Sequence, residues 1–160
     1  SGMTKVLGYF AENLNTQKPK GNLTYKSLTL NGSVLEQKSV RPPDQYLYLN
    51  DNSILIMGWV NDDETTNNTD FMIMFPDCLK RGCTVGVDIF YFKLFYDKGF
   101  VPAGALSMPA KISVTFDQAC NRKLNNKYNG RACTAWVIYN ENMDYLHCDD
   151  LSWDGKHKCK

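Results

Sequence analysis

An α+β fold is expected: an N-terminal helix packed on an antiparallel β-sheet, followed by a disulfide-stapled C-terminal region. Three observations predict it. Val6, Leu7, Phe10 and Leu14 recur at helical spacing. Short apolar runs between Tyr46 and Tyr96 are separated by turn-forming residues. All six cysteines lie in the second half of the chain. At 160 residues and 43% hydrophobic composition the chain has the length of one domain and enough apolar material for a core.

The helix is read over Thr4–Asn15, with Thr4 as N-cap and Pro19 and Gly21 closing it off. Ser1-Gly2-Met3 reads as an expression scar, so residues 4–160 form the expected single domain. Lys18–Gly32 reads as polar and turn-rich, anchored by Leu23, Tyr25, Leu28 and Leu30. Arg41-Pro42-Pro43-Asp44 is a break. Tyr46–Leu49 and Ser53–Val60 read as paired strands around Asn50-Asp51-Asn52, because Asn and Asp tolerate the left-handed conformation of tight turns. Asn61–Asp70 is polar throughout and reads as a loop. Phe71–Phe75 is a third strand, ended by Pro76, and Val85–Tyr96 a fourth, rich in aromatics. Gly99, Pro102 and Gly104 end that strand. Lys111–Phe116 reads as a short extended or edge segment, and Asp117–Lys127 as a helical turn capped by Asp117. Ala132–Asn140 fits either helix or strand, and the turn signal Asn129-Gly130 before it favours helix. Met143–Lys160 reads as a polar tail tied down by Cys148 and Cys159.

The six cysteines allow 15 pairings. Pairing neighbours (Cys78–Cys83, Cys120–Cys133 and Cys148–Cys159) closes the shortest loops, and a bridge over roughly a dozen residues is worth about 3 kcal/mol in the chain-entropy model. Three structural disulfides imply an oxidising compartment. The competing reading is zinc held by His147-Cys148 and by His157 with Cys159. It lacks the C-x-x-C pair that zinc sites ordinarily use.

Net charge is +1, so no field gathers nucleic acid or anionic lipid. The longest apolar run, Ile54–Val60, falls far short of the ~20 residues a membrane span needs. No G-x-S-x-G, P-loop, G-x-G-x-x-G or H-E-x-x-H occurs, and no enzymatic activity is expected. His147 and His157, with Asp149, Asp150 or Asp154, are the nearest approach to acid–base chemistry. Asp62, Asp63 and Asp70, with Glu64, Asn67 and Asn68, form a hard-oxygen cluster that makes calcium a candidate ion, although the EF-hand spacing is missing. Asp149, Asp150 and Asp154 form a second such group. Otherwise no cofactor is expected. Tyr46, Tyr48 and Trp59 are candidates for a carbohydrate-stacking platform, against a core role for the same rings. Asn22, Asn31 and Asn67 begin glycosylation sequons. Lysines and arginines, Arg122, Lys123, Lys127 and Arg131 among them, are scattered over polar segments and read as solvated surface.

One segment carries a resemblance. Cys133-Thr134-Ala135-Trp136-Val137-Ile138, Asn142-Met143-Asp144-Tyr145-Leu146 and Leu151-Ser152-Trp153-Asp154-Gly155-Lys156 resemble the C-terminal end of type IV pilin-like proteins. Val87–Phe92 with Gly99 and Pro102, and Tyr48–Ile56, resemble the same family's sheet segments. The resemblance implies a leader removed by a prepilin peptidase, a long apolar N-terminal helix of which Thr4–Asn15 is the remnant, and a globular head on an antiparallel sheet. The function it implies is that of a structural subunit, a pilin of a bacterial surface filament or a pseudopilin of a type II secretion pseudopilus. Its implied partners are copies of itself or other pilins, and inner-membrane assembly machinery engaged through the apolar helix. The implied location is the cell surface or outside the cell, with the helix as membrane anchor before assembly. The rival reading is a secreted or surface-attached adhesin, a carbohydrate-binding module.

Overall fold

The computed structural model describes residues 19–42, 45–61, 68–95, 97–109 and 112–160. Within these residues eight strands form two sheets. Strands β1 (Leu23–Leu28), β2 (Val34–Val40) and β6 (Cys83–Thr84) make a three-stranded sheet in the order β2-β1-β6. Strands β3 (Tyr46–Tyr48), β4 (Ile54–Asn61), β5 (Asn68–Met74), β7 (Ile89–Phe95) and β8 (Gly99–Pro102) make a five-stranded one in chain order. Two short helices follow: α1 (Phe116–Ala119), and α2 (Thr134–Asn140), which a 3-10 turn over Arg131–Cys133 extends backwards.

This corrects the expected α+β arrangement. The fold is mostly β, with two sheets in place of one, and the helices of the described residues belong to the C-terminal part. The expected helix over Thr4–Asn15 lies outside the described residues. The β1–β2 hairpin is the main element the sequence concealed. In β1 Leu23, Tyr25 and Ser27 point inward while Thr24 and Lys26 face solvent, so a half-buried strand presents a largely polar string. Strand β2 is more exposed still, with Val34 60% exposed. The smaller sheet is also mixed, since β6 runs parallel to β1, pairing Ser27 with Cys83 and Leu28 with Thr84.

The larger sheet is antiparallel throughout. Alternation sends Ile54, Ile56, Met74 and Ile89 to one face, where they pack with Leu23 and Tyr25 of the smaller sheet and with the buried Cys78 and Cys83. Leu47, Leu55, Met57 and Phe71 occupy the opposite face. Both faces are therefore apolar, which is why the aromatic run of β7 shows no alternation of polarity. Gly99–Pro102, expected only to end the preceding strand, forms β8, and residues 112–115 are irregular, not a strand. The N-cap of α1 is Thr115, two residues before the expected Asp117: its N–H donates to Oε1 of Gln118 at 3.1 Å, and Asp117 lies within the first turn of a helix that ends at Ala119.

Candidate functional site

The six cysteines pair as sequence neighbours: Cys78 with Cys83, Cys120 with Cys133, and Cys148 with Cys159. The first bridge pinches the connection between β5 and β6. There Asp88, 8% exposed, accepts both guanidinium arms of Arg81 (2.8 and 3.1 Å) and the Thr84 amide (2.9 Å). The second bridge ties α1 to the turn before α2. The third closes the tail, where the Cys159 amide also donates to Oδ2 of Asp144 at 2.8 Å. The three bridges fit a chain that folds in an oxidising, extracytoplasmic environment. No helix among the described residues is long and apolar enough to cross a membrane.

The stretch Met143–Lys160, expected as a polar tail, instead supplies Tyr145, Leu151 and Trp153 to a second core with Phe116 and Trp136. Trp136, fully buried, stacks on Phe116 with ring centroids 4.3 Å apart, and Trp153 leans on both. The hub is Asn142. Its Oδ1 accepts from the Trp136 indole (3.1 Å) and the Asp144 amide (2.9 Å), while its Nδ2 donates to the carbonyls of Asn140 and His157. One amide thus pins the tail to the helix. Tyr145, 1% exposed, anchors the unit to the sheet region by donating to the Gly86 carbonyl at 2.6 Å. Asn129, equally buried, holds the 121–129 loop together through the carbonyls of Asn121 and Leu124. These links explain why so many Asn residues sit in this part of the sequence: each supplies the buried backbone of irregular loops with partners.

The candidate catalytic groups are not assembled. His147 is exposed, and the His157 ring contacts the Trp153 carbonyl (2.8 Å) and the edge of Trp136. Asp149 pairs with Lys123 and Arg122, and hydrogen bonds from those two cations, Lys123 first, hold its carboxyl below the usual range. Asp150 is lowered by Lys156 in the same way. No group of three metal-ligating side chains occurs among the described residues. Asp62, Asp63, Glu64 and Asn67 lie outside them. Asp70 is described, and its Oδ1 receives the Lys93 ammonium at 2.5 Å, a contact a calcium ion would have to displace.

The proposed sugar platform does not form as drawn. Tyr46 is 2% exposed, its hydroxyl donates to the Gly21 carbonyl, and Tyr48 packs edge-on against it within the core. Burial, foremost, raises the Tyr46 phenol. Asn22 of the first sequon is exposed. Asn31 of the second is half-buried and accepts the Thr29 hydroxyl and the Ser33 amide.

Two surface features were not singled out from sequence. An apolar groove of about 300 Å³ runs between the edge of α2 and the larger sheet, lined by Phe75, Phe90, Val137, Ile138 and Met143. A second cleft, of about 160 Å³, lies between β7 and the 112–131 segment and contains Lys93 and Arg131. The signal for the second was a cation in mid-strand: Lys93 interrupts Phe90-Tyr91-Phe92 and Leu94-Phe95, where a charge needs a specific reason. Compared with protein-family models, with curated proteins and with solved structures, the chain matches none.

Proposed function

We propose that the chain is a non-catalytic structural subunit of a bacterial surface filament or secretion pseudopilus, of the pilin or pseudopilin kind. The observation that carries this reading is how the pilin-like residues are used. Trp136, Asn142, Asp144 and Tyr145 spend their polar groups on the protein's own backbone and on one another, around two disulfides. A motif spent on internal bracing suits a part that must last outside the cell rather than a part that turns over a substrate. The partners under this reading are copies of the chain or other pilins, recruited by assembly machinery at the inner membrane.

The test is the native gene upstream of the Thr4 codon, together with the location of the product. A short basic leader running into ~20 apolar residues in frame is expected, with the protein recovered by antibody in filaments sheared from cells. An ordinary cleavable signal peptide, with the protein free in the medium, overturns the proposal and favours the adhesin.

A further inference from the structure

The cleft beside β7 is built around two cations with unequal partners. The guanidinium carbon of Arg131 lies 5.1 Å from the ring centroids of both Tyr91 and Tyr128. Two aromatic rings fix the planar group while leaving its in-plane N–H donors available. Among the described residues that guanidinium makes no ion pair and no side-chain hydrogen bond. Arg81 and Arg122 differ, each being held by a carboxylate. Lys93 is 9% exposed and donates to Asp70 (2.5 Å) and to Asn68 (3.3 Å). An ammonium has three N–H donors, so one remains. Among the described residues Asp70 is the single carboxylate lining the cleft, and Lys93 balances it. Glu36 and Lys38, the other charges acting on Tyr91, are paired with each other at 2.8 Å. Among the described residues the cleft therefore carries one uncompensated positive charge, on a side chain whose fork matches a carboxylate.

The remaining wall is apolar, from Phe92, Ala103, Ile112 and Val114, with Ser113 and Tyr128 offering hydroxyls. Burial, foremost, raises the Tyr91 phenol and keeps it neutral, so it adds no opposing charge.

We propose that this cleft binds a small monocarboxylate with a compact, partly apolar body, its carboxylate bridging two donors of Arg131 with Lys93 alongside. A single negative charge completes the local balance; a phosphate dianion leaves an excess of one. Bidentate geometry and the aromatic clamp account for arginine at this place.

The test is an NMR titration of the full chain at constant ionic strength. Butyrate, galacturonate and inorganic phosphate are the probes, with methyl glucoside as the neutral control. The expected result is saturable shifts centred on Arg131, Tyr128 and Ser113 with one or both carboxylates, weaker binding of phosphate, and none of methyl glucoside. Arg131→Lys keeps the charge and removes the fork, and is expected to weaken carboxylate binding about tenfold. Tyr128→Leu, at a ring 39% exposed, removes half of the clamp and is expected to weaken it as well, and it decides the matter should Arg131→Lys fail to fold. Linear or scattered shifts, carboxylate affinity unchanged in a folded Arg131→Lys or in Tyr128→Leu, or phosphate binding as tightly as the carboxylates overturns the assignment.

Discussion

Replacing Tyr145 by Phe isolates the bond that joins the C-terminal unit to the sheets. The ring stays and no cavity opens, so the change removes one hydroxyl. That hydroxyl donates to the Gly86 carbonyl across 59 positions of sequence, and the residue is 1% exposed. Water cannot readily replace it there. Leaving a buried acceptor unpaired costs about 1–3 kcal/mol. For a chain of this size each kcal/mol moves Tm by about 2–4 °C, so Tyr145→Phe is expected to melt about 2–12 °C lower. The assay is thermal and urea unfolding under non-reducing conditions, so that all three bridges persist and the unfolded reference is shared. An unchanged urea m-value is required, since the same surface is exposed in both proteins. A Tyr145→Phe protein that unfolds within about 0.5 kcal/mol of the parent, inside the ordinary range of surface changes, refutes the idea that this bond holds the two cores together.

Alkaline unfolding provides a related check. Burial pushes the phenols of Tyr25 and Tyr145 well above their ordinary value, so both are neutral in the folded state and ionise readily only when unfolded. Their contribution is complete below the unfolded pKa of about 10 and is lost as pH rises beyond it; unfolding free energy measured between pH 8 and 11 on this basis should fall steeply, and less steeply in Tyr145→Phe. The two tryptophans should also differ. Trp136→Phe strips a donor from Asn142 and is expected to cost about 1–3 kcal/mol, whereas Trp153, whose buried indole N–H has no partner among the described residues, should tolerate Phe within about 1 kcal/mol; equal losses in urea titrations would contradict the hub role of Asn142. Removing Cys148–Cys159 with a double Ser replacement is expected to cost about 2–5 kcal/mol. That bridge, only half-buried, should also be alkylated first under graded reductant, ahead of Cys78–Cys83, both of whose residues are 0% exposed; mass spectrometry gives the order. Gly104→Ala sets a new Cβ 2.1 Å from the Ala132 carbonyl oxygen at a φ of +88°, while Gly99→Ala at +74° meets nothing within 4 Å. The second should cost only the left-handed strain of about 1–2 kcal/mol, and the first considerably more, as judged by the yield of folded protein.

The apolar parts of β4, β5 and β7 were legible as runs bounded by turn residues, and Ile54, Phe71 and Ile89 mark their cores, whereas Asn68-Thr69-Asp70, expected as loop, belongs to β5. The neighbour pairing of cysteines followed from loop length alone. The helix at Thr134–Asn140 was legible as far as its start, since Gly130 at φ +106° supplies the turn that Asn129-Gly130 signals. What escaped was structure made by partners distant in sequence. Strand β1 shows its character only through alternation against solvent, and β6 is two residues long, held by Cys83 and by parallel pairing with Ser27 and Leu28. The C-terminal stretch read as a polar tail because its order comes from Asn142, Asp144 and Asn129 bonding to backbone, and hydropathy does not register such bonds. Tyr46 was offered as a binding residue for the same reason: a tyrosine in a strand looks alike whether its ring faces water or Gly21.

A division of labour follows from these contacts. In the C-terminal core Asn142, Asp144 and Tyr145 are already engaged, and changing them should alter stability before anything else. Charged groups with bonding capacity to spare line the cleft beside β7, at Arg131 and Lys93. There, two tyrosine rings hold a guanidinium in place without neutralising it. A chain that needed Arg131 only for packing would gain by pairing it, as it pairs Arg81 with Asp88. Holding a cation against two aromatic rings, with no carboxylate partner among the described residues, costs orientational freedom. Such an arrangement is better explained by a ligand than by the fold, and that is why loss of binding in Arg131→Lys without loss of stability is the outcome that would separate the two.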